Sequence, residues 1–204
     1  VANPVIEPGD LKRESGFALL DLVFTCALII VMAAVAIPSL HAARERDAAI
    51  MAARHLASRL SLLRVDALRR NRAVGVRFDP DDVGQFRTYA DGDGDGLSQQ
   101  DIDAEVDAPL EPETHVSDLF ALVAFHVPIS IPAPDGSAVI TADSDPVRIG
   151  NTNFLSFSPV GTATSGTIYL AGRGGTQMCV RVFGATGRVR VLRFDRATST
   201  WQQD

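Results

Sequence analysis

Residues 17–37 read FALLDLVFTCALIIVMAAVAI, a run of 21 residues whose sole charge is Asp21. At ~1.5 Å rise per residue such a run covers about 30 Å as a helix, the thickness of a bilayer core. It has no polar face, which the core helix of a soluble domain usually keeps. The run therefore predicts one membrane-spanning helix followed by a globular remainder. Lys12 and Arg13 precede it beside Glu14, and Arg44 and Arg46 follow it beside Glu45 and Asp47. That balance leaves the orientation open on charge alone.

Composition bounds the globular remainder. With 46% hydrophobic and 22% charged residues, the chain is not wholly disordered, collagen-like or polytopic. A net charge of −6 argues against a broadly basic nucleic-acid coat and leaves room for a local basic strip. Cys26 lies in the apolar run and Cys179 in a strand-like segment. If the run spans a membrane the two cannot meet within one chain, so the fold is not disulfide-stapled. Their spacing does not suggest zinc.

Three readings of the N-terminal segment compete. A secretory signal peptide would need a shorter apolar region without an acid near its start. A plain signal anchor explains the length but leaves Gly16, Asp21 and Pro38 as accidents. The third reading uses all three. Lys12-Arg13-Glu14-Ser15-Gly16-Phe17-Ala18-Leu19-Leu20-Asp21 resembles the type IV prepilin processing site. The resemblance implies cleavage by a prepilin peptidase between Gly16 and Phe17, with N-methylation of Phe17. It places Asp21 fifth and Pro38 twenty-second in the mature chain, the family's positions for an assembly acid and a helix proline. The family's acid is normally glutamate, and its proposed partner is the N-terminal amine of a neighbouring subunit. Aspartate is one methylene shorter, and Ala18 stands where threonine is common.

Beyond Pro38 the helix is expected to continue to Asn71, with a bend at the proline ring. Ala49, Ile50, Ala53, Leu56, Leu60, Leu63 and Ala67 form an apolar stripe at spacings of three and four. From Ala73 the period changes to two, which predicts strands at 73–79 and 85–90. Residues 91–118 read as an acidic loop, and 119–131 as an irregular strand. Further strands are expected at 147–149, 153–158, 166–171, 177–183 and 188–195. The expected fold class is α+β: a long N-terminal helix, membrane-spanning in its first half, packed on an antiparallel sheet domain. This is also the pilin fold that the N-terminal resemblance implies.

Two later stretches narrow the resemblance. Phe154-Leu155-Ser156-Phe157-Ser158-Pro159-Val160-Gly161 and Cys179-Val180-Arg181-Val182-Phe183-Gly184 are similar to the GspH/FimT branch of minor pseudopilins. That resemblance implies a leader at 1–16, a membrane helix at 17–38, its amphipathic continuation at 39–71 and a periplasmic β domain at 72–204. It implies a single-pass protein of the bacterial inner membrane, joining a type II secretion pseudopilus or a type IV pilus at or near the tip. The implied partners are the prepilin peptidase, other pseudopilins or pilins, the inner-membrane assembly platform and membrane lipid.

Two motifs carry candidate chemistry. Asp91-Gly92-Asp93-Gly94-Asp95-Gly96 has the spacing of a calcium loop, with acids at one, three and five and glycine at six. Leu97 would offer its carbonyl. Position twelve falls on Ile102, which cannot ligate, so Asp101 or Asp103 would have to substitute. The simpler reading is a solvated acidic turn. In Gly187-Arg188-Val189-Arg190 the alternation of a strand puts Arg188 and Arg190 on one face, where two guanidiniums can hold phosphates. In FimT-like proteins such a motif is associated with DNA binding during uptake, with Arg181 and Arg193 as possible extensions. The net negative charge and the lack of neighbouring aromatics weigh against it, and the simpler reading is a solvated strand face. No histidine pair, nucleophile elbow or phosphate-cradling loop points to catalysis, so no enzyme activity is expected.

Overall fold

The computed structural model describes residues 11–150 and 153–204, with side chains from Leu19 onward. Most of the expected leader, residues 1–10, lies outside the described residues. The chain divides into two compact units, Val1–Ala43 and Arg44–Asp204.

Helix α1 runs Leu11–Arg70 and passes through Pro38 without a break. In the first unit the described apolar side chains are largely exposed: Leu20, Ile30 and Val35 are 70%, 68% and 74% exposed. It is one helix long and apolar enough to cross a membrane. The helix ends as the sequence predicts. Asn71 takes a left-handed φ of 53°, and the Arg72 amide reaches back to the Ala67 carbonyl at 3.3 Å. This is a Schellman-type stop, in which asparagine replaces the usual glycine.

In the second unit, β1 (Val74–Phe78) and β2 (Gln85–Ala90) form an antiparallel hairpin, and β1 also pairs with a later strand. The segment 91–118, expected as loop, contains short elements. They are α2 (Gln99–Asp103), β3 (Ala108–Pro109), β4 (Thr114–His115) and the start of α3 (Val116–Leu119). Both two-residue strands exist because they dock on β2, which supplies the pairing their own length cannot. Then come β5 (Val123–Phe125), β6 (Ile131–Pro132), β7 (Val139–Ile140), β8 (Val147–Ile149) and β9 (Phe154–Phe157). The chain ends in β10 (Gly166–Gly172), β11 (Gln177–Phe183), β12 (Arg188–Asp195) and β13 (Thr200–Gln203).

The smaller sheet has the order β3-β2-β1-β9, with β4 also on β2. The larger has the order β13-β12-β11-β10-β5, with β8 also on β10. Ala49, Ala52, Ala53, Leu56, Leu60 and Ala67 of α1 are buried against Val74, Val76, Leu155, Ile168, Val180 and their neighbours in one core. The small residues of the stripe let the helix lie close to both sheets. Gly172 shows how close: a Cβ there would stand 3.0 Å from that of Ala49. The opposite face of the large sheet carries a second core of Tyr169 and Cys179 with Leu192, Phe194 and Trp201. The β6–β7 hairpin covers it with Ile131, Ala133 and Ile140. The Trp201 indole donates to the Pro132 carbonyl at 2.7 Å and fastens that cover.

Candidate functional site

Asp21 is exposed on α1 among exposed Leu19, Leu20, Leu22, Val23 and Phe24. Among the described residues it makes no ion pair. Gly16 falls within α1, but nothing in the described side chains bears on it or on Phe17. Pro38 sits inside the helix.

The acidic loop is built by its own carboxylates. Asp91 is buried, and its two oxygens accept the amides of Gly94 at 2.6 Å and Gly96 at 3.2 Å. Gly94 and Gly96 have φ of 98° and 113°, which a side chain would strain. Asp107, which the spacing did not single out, is also buried and accepts the amides of Gly92 and Ser98 at 3.1 Å each. It closes the loop from behind. Asp91, Asp93 and Asp95 bring carboxylate oxygens within 4.8 Å of one another. The hydrogen bond and charge of Asp93 hold the Asp95 carboxyl above its ordinary range, with smaller contributions from Asp101 and Asp91. Repulsion of this kind is what a bound cation relieves. Asp101 and Asp103 are not part of that cluster. Asp101 is held by Ser98 at the start of α2, and Asp103 accepts from Gln99 at 2.7 Å. The Leu97 side chain packs toward Gly75. Three carboxylates are the hard oxygen donors that suit calcium, but no bidentate carboxylate occupies position twelve.

The arginine strand meets more partners than its sequence suggests. Arg181 of β11 faces Arg190 of β12, and Phe183 faces Arg188. The Phe183 ring lies 5.3 Å from the guanidinium of Arg181 and 5.3 Å from that of Arg190. The expected lack of aromatics is thus corrected: Phe183 is seven residues from Arg190 in sequence but is placed beside it by the register. Register also extends the row through Thr167 to Arg148 on β8. The row borders an open groove of about 430 Å³ lined by Arg148, Thr167, Arg181 and Phe183. The Arg190 Nε is buried without a hydrogen-bond partner. Gly187 enters β12 with φ 59°, and a Cβ there would stand 3.0 Å from the Arg64 Nε. Arg193, the other extension suggested by sequence, lines a different pocket. Arg181 is bridged to Asp135 at 2.8 Å.

A helix long and apolar enough to cross a membrane leads into a domain of two antiparallel sheets packed on the second half of that helix. The chain belongs to the family described as type II transport protein GspH, which matches residues 52–186. Solved structures similar to it include the minor pseudopilin EpsH of the type 2 secretion system of Vibrio cholerae. That pair is 18% identical, covering 71% of this chain and 96% of the other, with a TM-score of 0.44. Another is the type IV minor pilin FimU of Pseudomonas aeruginosa, at 15% identity, 78% and 95% coverage and a TM-score of 0.44. No curated protein sequence matches the chain significantly.

Proposed function

We propose that this GspH-family chain is a minor pseudopilin or minor pilin of the bacterial inner membrane, with its β domain in the periplasm. Prepilin peptidase cuts it between Gly16 and Phe17. The mature subunit then joins a short helical fibre at or near the tip, in a type II secretion pseudopilus or a type IV pilus, where it meets other pseudopilins and the assembly platform. The observation that carries this reading is the exposed apolar surface of α1 over residues 19–37, with Asp21 as the one charge of that stretch. An unpaired charge within the span is costly in lipid, so a partner's amine would favour assembly. The test is Asp21→Ala. Reduced incorporation into the fibre with the β domain still folded supports the pairing, and normal incorporation overturns it.

The groove lined by Arg148, Arg181 and Phe183, with Arg190 beside Phe183, favours a second reading, a FimT-like DNA-binding minor pilin using Arg188 and Arg190. Guanidiniums would hold phosphates while Phe183 offers a ring for a base. A gel shift with residues 44–204 across salt concentrations tests it. Salt-sensitive binding lost in the Arg188→Ala/Arg190→Ala variant supports the reading, and no binding at low salt removes it. In either reading we propose that Asp91, Asp93 and Asp95 hold calcium and so fix the loop.

A further inference from the structure

A second cationic site lies at the end of β12 remote from Arg188 and Arg190. Arg46 of α1, the loop residues Gly174, Gly175 and Thr176, and Arg193, Phe194 and Arg196 line an open pocket of about 380 Å³. Among the described residues none of the three arginines has a carboxylate within ion-pair distance. Asp195 is the one acid in the lining, and its oxygens are engaged by the Ala197 amide at 2.9 Å and the Gln202 side chain at 3.0 Å. Glu45 approaches the same loop at Gly174. Three guanidiniums against the charges of Asp195 and Glu45 leave the pocket with an excess of positive charge.

Glycine is required in its wall. Gly175 has φ 79°, and a Cβ there would stand 2.9 Å from the Arg196 guanidinium, which donates to the Gly175 carbonyl at 2.7 Å. The loop thus pre-positions Arg196 beside the pocket and leaves its remaining donors free for an anion. The exposed Arg173 stands on the same loop.

We propose that this pocket takes the phosphate of an anionic phospholipid headgroup. Guanidiniums pair well with phosphate oxygens. Membrane lipid is the favoured source because eight residues, 38–45, separate Arg46 from the apolar run. Even fully extended, that tether spans at most about 30 Å, so the pocket stays near the bilayer surface at high effective headgroup concentration. The proposal rests on the reading of residues 17–37 as a membrane span.

The full chain in nanodiscs tests it. Backbone hydrogen exchange at residues 172–177 and 193–197 is compared in phosphatidylcholine discs and in discs that also contain phosphatidylglycerol. Phosphatidylglycerol should slow exchange about fivefold, roughly the contribution of one arginine at a charged membrane surface. Arg193→Gln/Arg196→Gln, and Arg46→Gln alone, should abolish the difference. Arg188→Gln/Arg190→Gln removes the same charge as the first pair elsewhere and should keep it. Equal exchange in both discs overturns the proposal. So does equal slowing in the Arg193/Arg196 variant, or the same slowing by submillimolar inorganic phosphate in phosphatidylcholine discs, which would mark a free-anion site. A chain that fails to insert overturns the membrane reading with it, whereas one that inserts with headgroup-independent exchange overturns this proposal alone.

Discussion

Asp135, at the tip of the β6–β7 hairpin, bridges Arg181 on the outer face of the large sheet at 2.8 Å. The hairpin that covers the second core is thereby latched to the arginine row. The hydroxyl and amide of Ser137, and then Arg181, hold the Asp135 carboxyl down at about 2.

A carboxylate lowered on folding stabilises above its unfolded pKa of roughly 3.9 and loses that contribution as pH falls toward about 2. The group is largely exposed, so solvent screening keeps the effect below about 1 kcal/mol at neutral pH. Asp135→Asn should keep the Ser137 bonds and lose the ion pair. We expect urea denaturation to show a small deficit at pH 7 that closes as pH drops from about 4 to 2. A deficit independent of pH would contradict the latch. If the arginine face binds anions, the same variant should bind them more tightly, because Arg181 is released.

Calcium should raise the melting temperature of the chain, with an affinity in roughly the 0.1–1 mM range, because position twelve offers no ligand. Asp93→Asn/Asp95→Asn should remove the effect without unfolding the loop in calcium-free buffer. Asp107→Ala should destabilise with or without calcium, by about 1–3 kcal/mol, because it orphans the amides of Gly92 and Ser98. Calorimetry with and without chelator separates the two effects. A melting temperature unchanged by calcium would leave the loop as an acidic turn.

Leu60 is fully buried between α1 and the sheets, whereas Leu62 is 67% exposed. Leu60→Ala should cost about 2–5 kcal/mol through lost contacts and a cavity. Leu62→Ala should change stability by less than about 0.5 kcal/mol. Denaturant midpoints of the two variants check the placement of the stripe, and similar losses would contradict it.

Cys179 is buried beside Tyr169, and burial pushes its thiol well above the ordinary range. A thiol so held reacts as a buried hydrophobe does, that is, slowly. Maleimide labelling at Cys179 should therefore appear only when the second core opens. Rapid native labelling would mean that the β6–β7 cover is loose.

The helix stripe and the long hairpins are legible in the sequence because their periods persist over many residues. Ala49, Ala53, Leu56, Leu60 and Ala67 repeat at helical spacing, and valine recurs at every second position in β11 (Val180, Val182) and β12 (Val189, Val191). Segment 91–118 is illegible for the opposite reason. Ala108 and Pro109 pair with β2 over two residues, too few to show any period. Strand β13 escapes a sequence reading because only Trp201 in Thr200-Trp201-Gln202-Gln203 is apolar, and it is held by Phe194 and Pro132 across the fold. The candidate sites divide similarly. Asp91, Asp93 and Asp95 can be read from local spacing. Asp107 and Phe183 join their sites only through chain closure and strand register.

The most direct measurement is the intact mass and N-terminal sequence of membrane-extracted protein from cells with and without prepilin peptidase. We expect a chain that begins at N-methylated Phe17 only when the peptidase is present. An uncut chain, or one cut near Ala43, would contradict processing at Gly16 and the fibre assembly that depends on it.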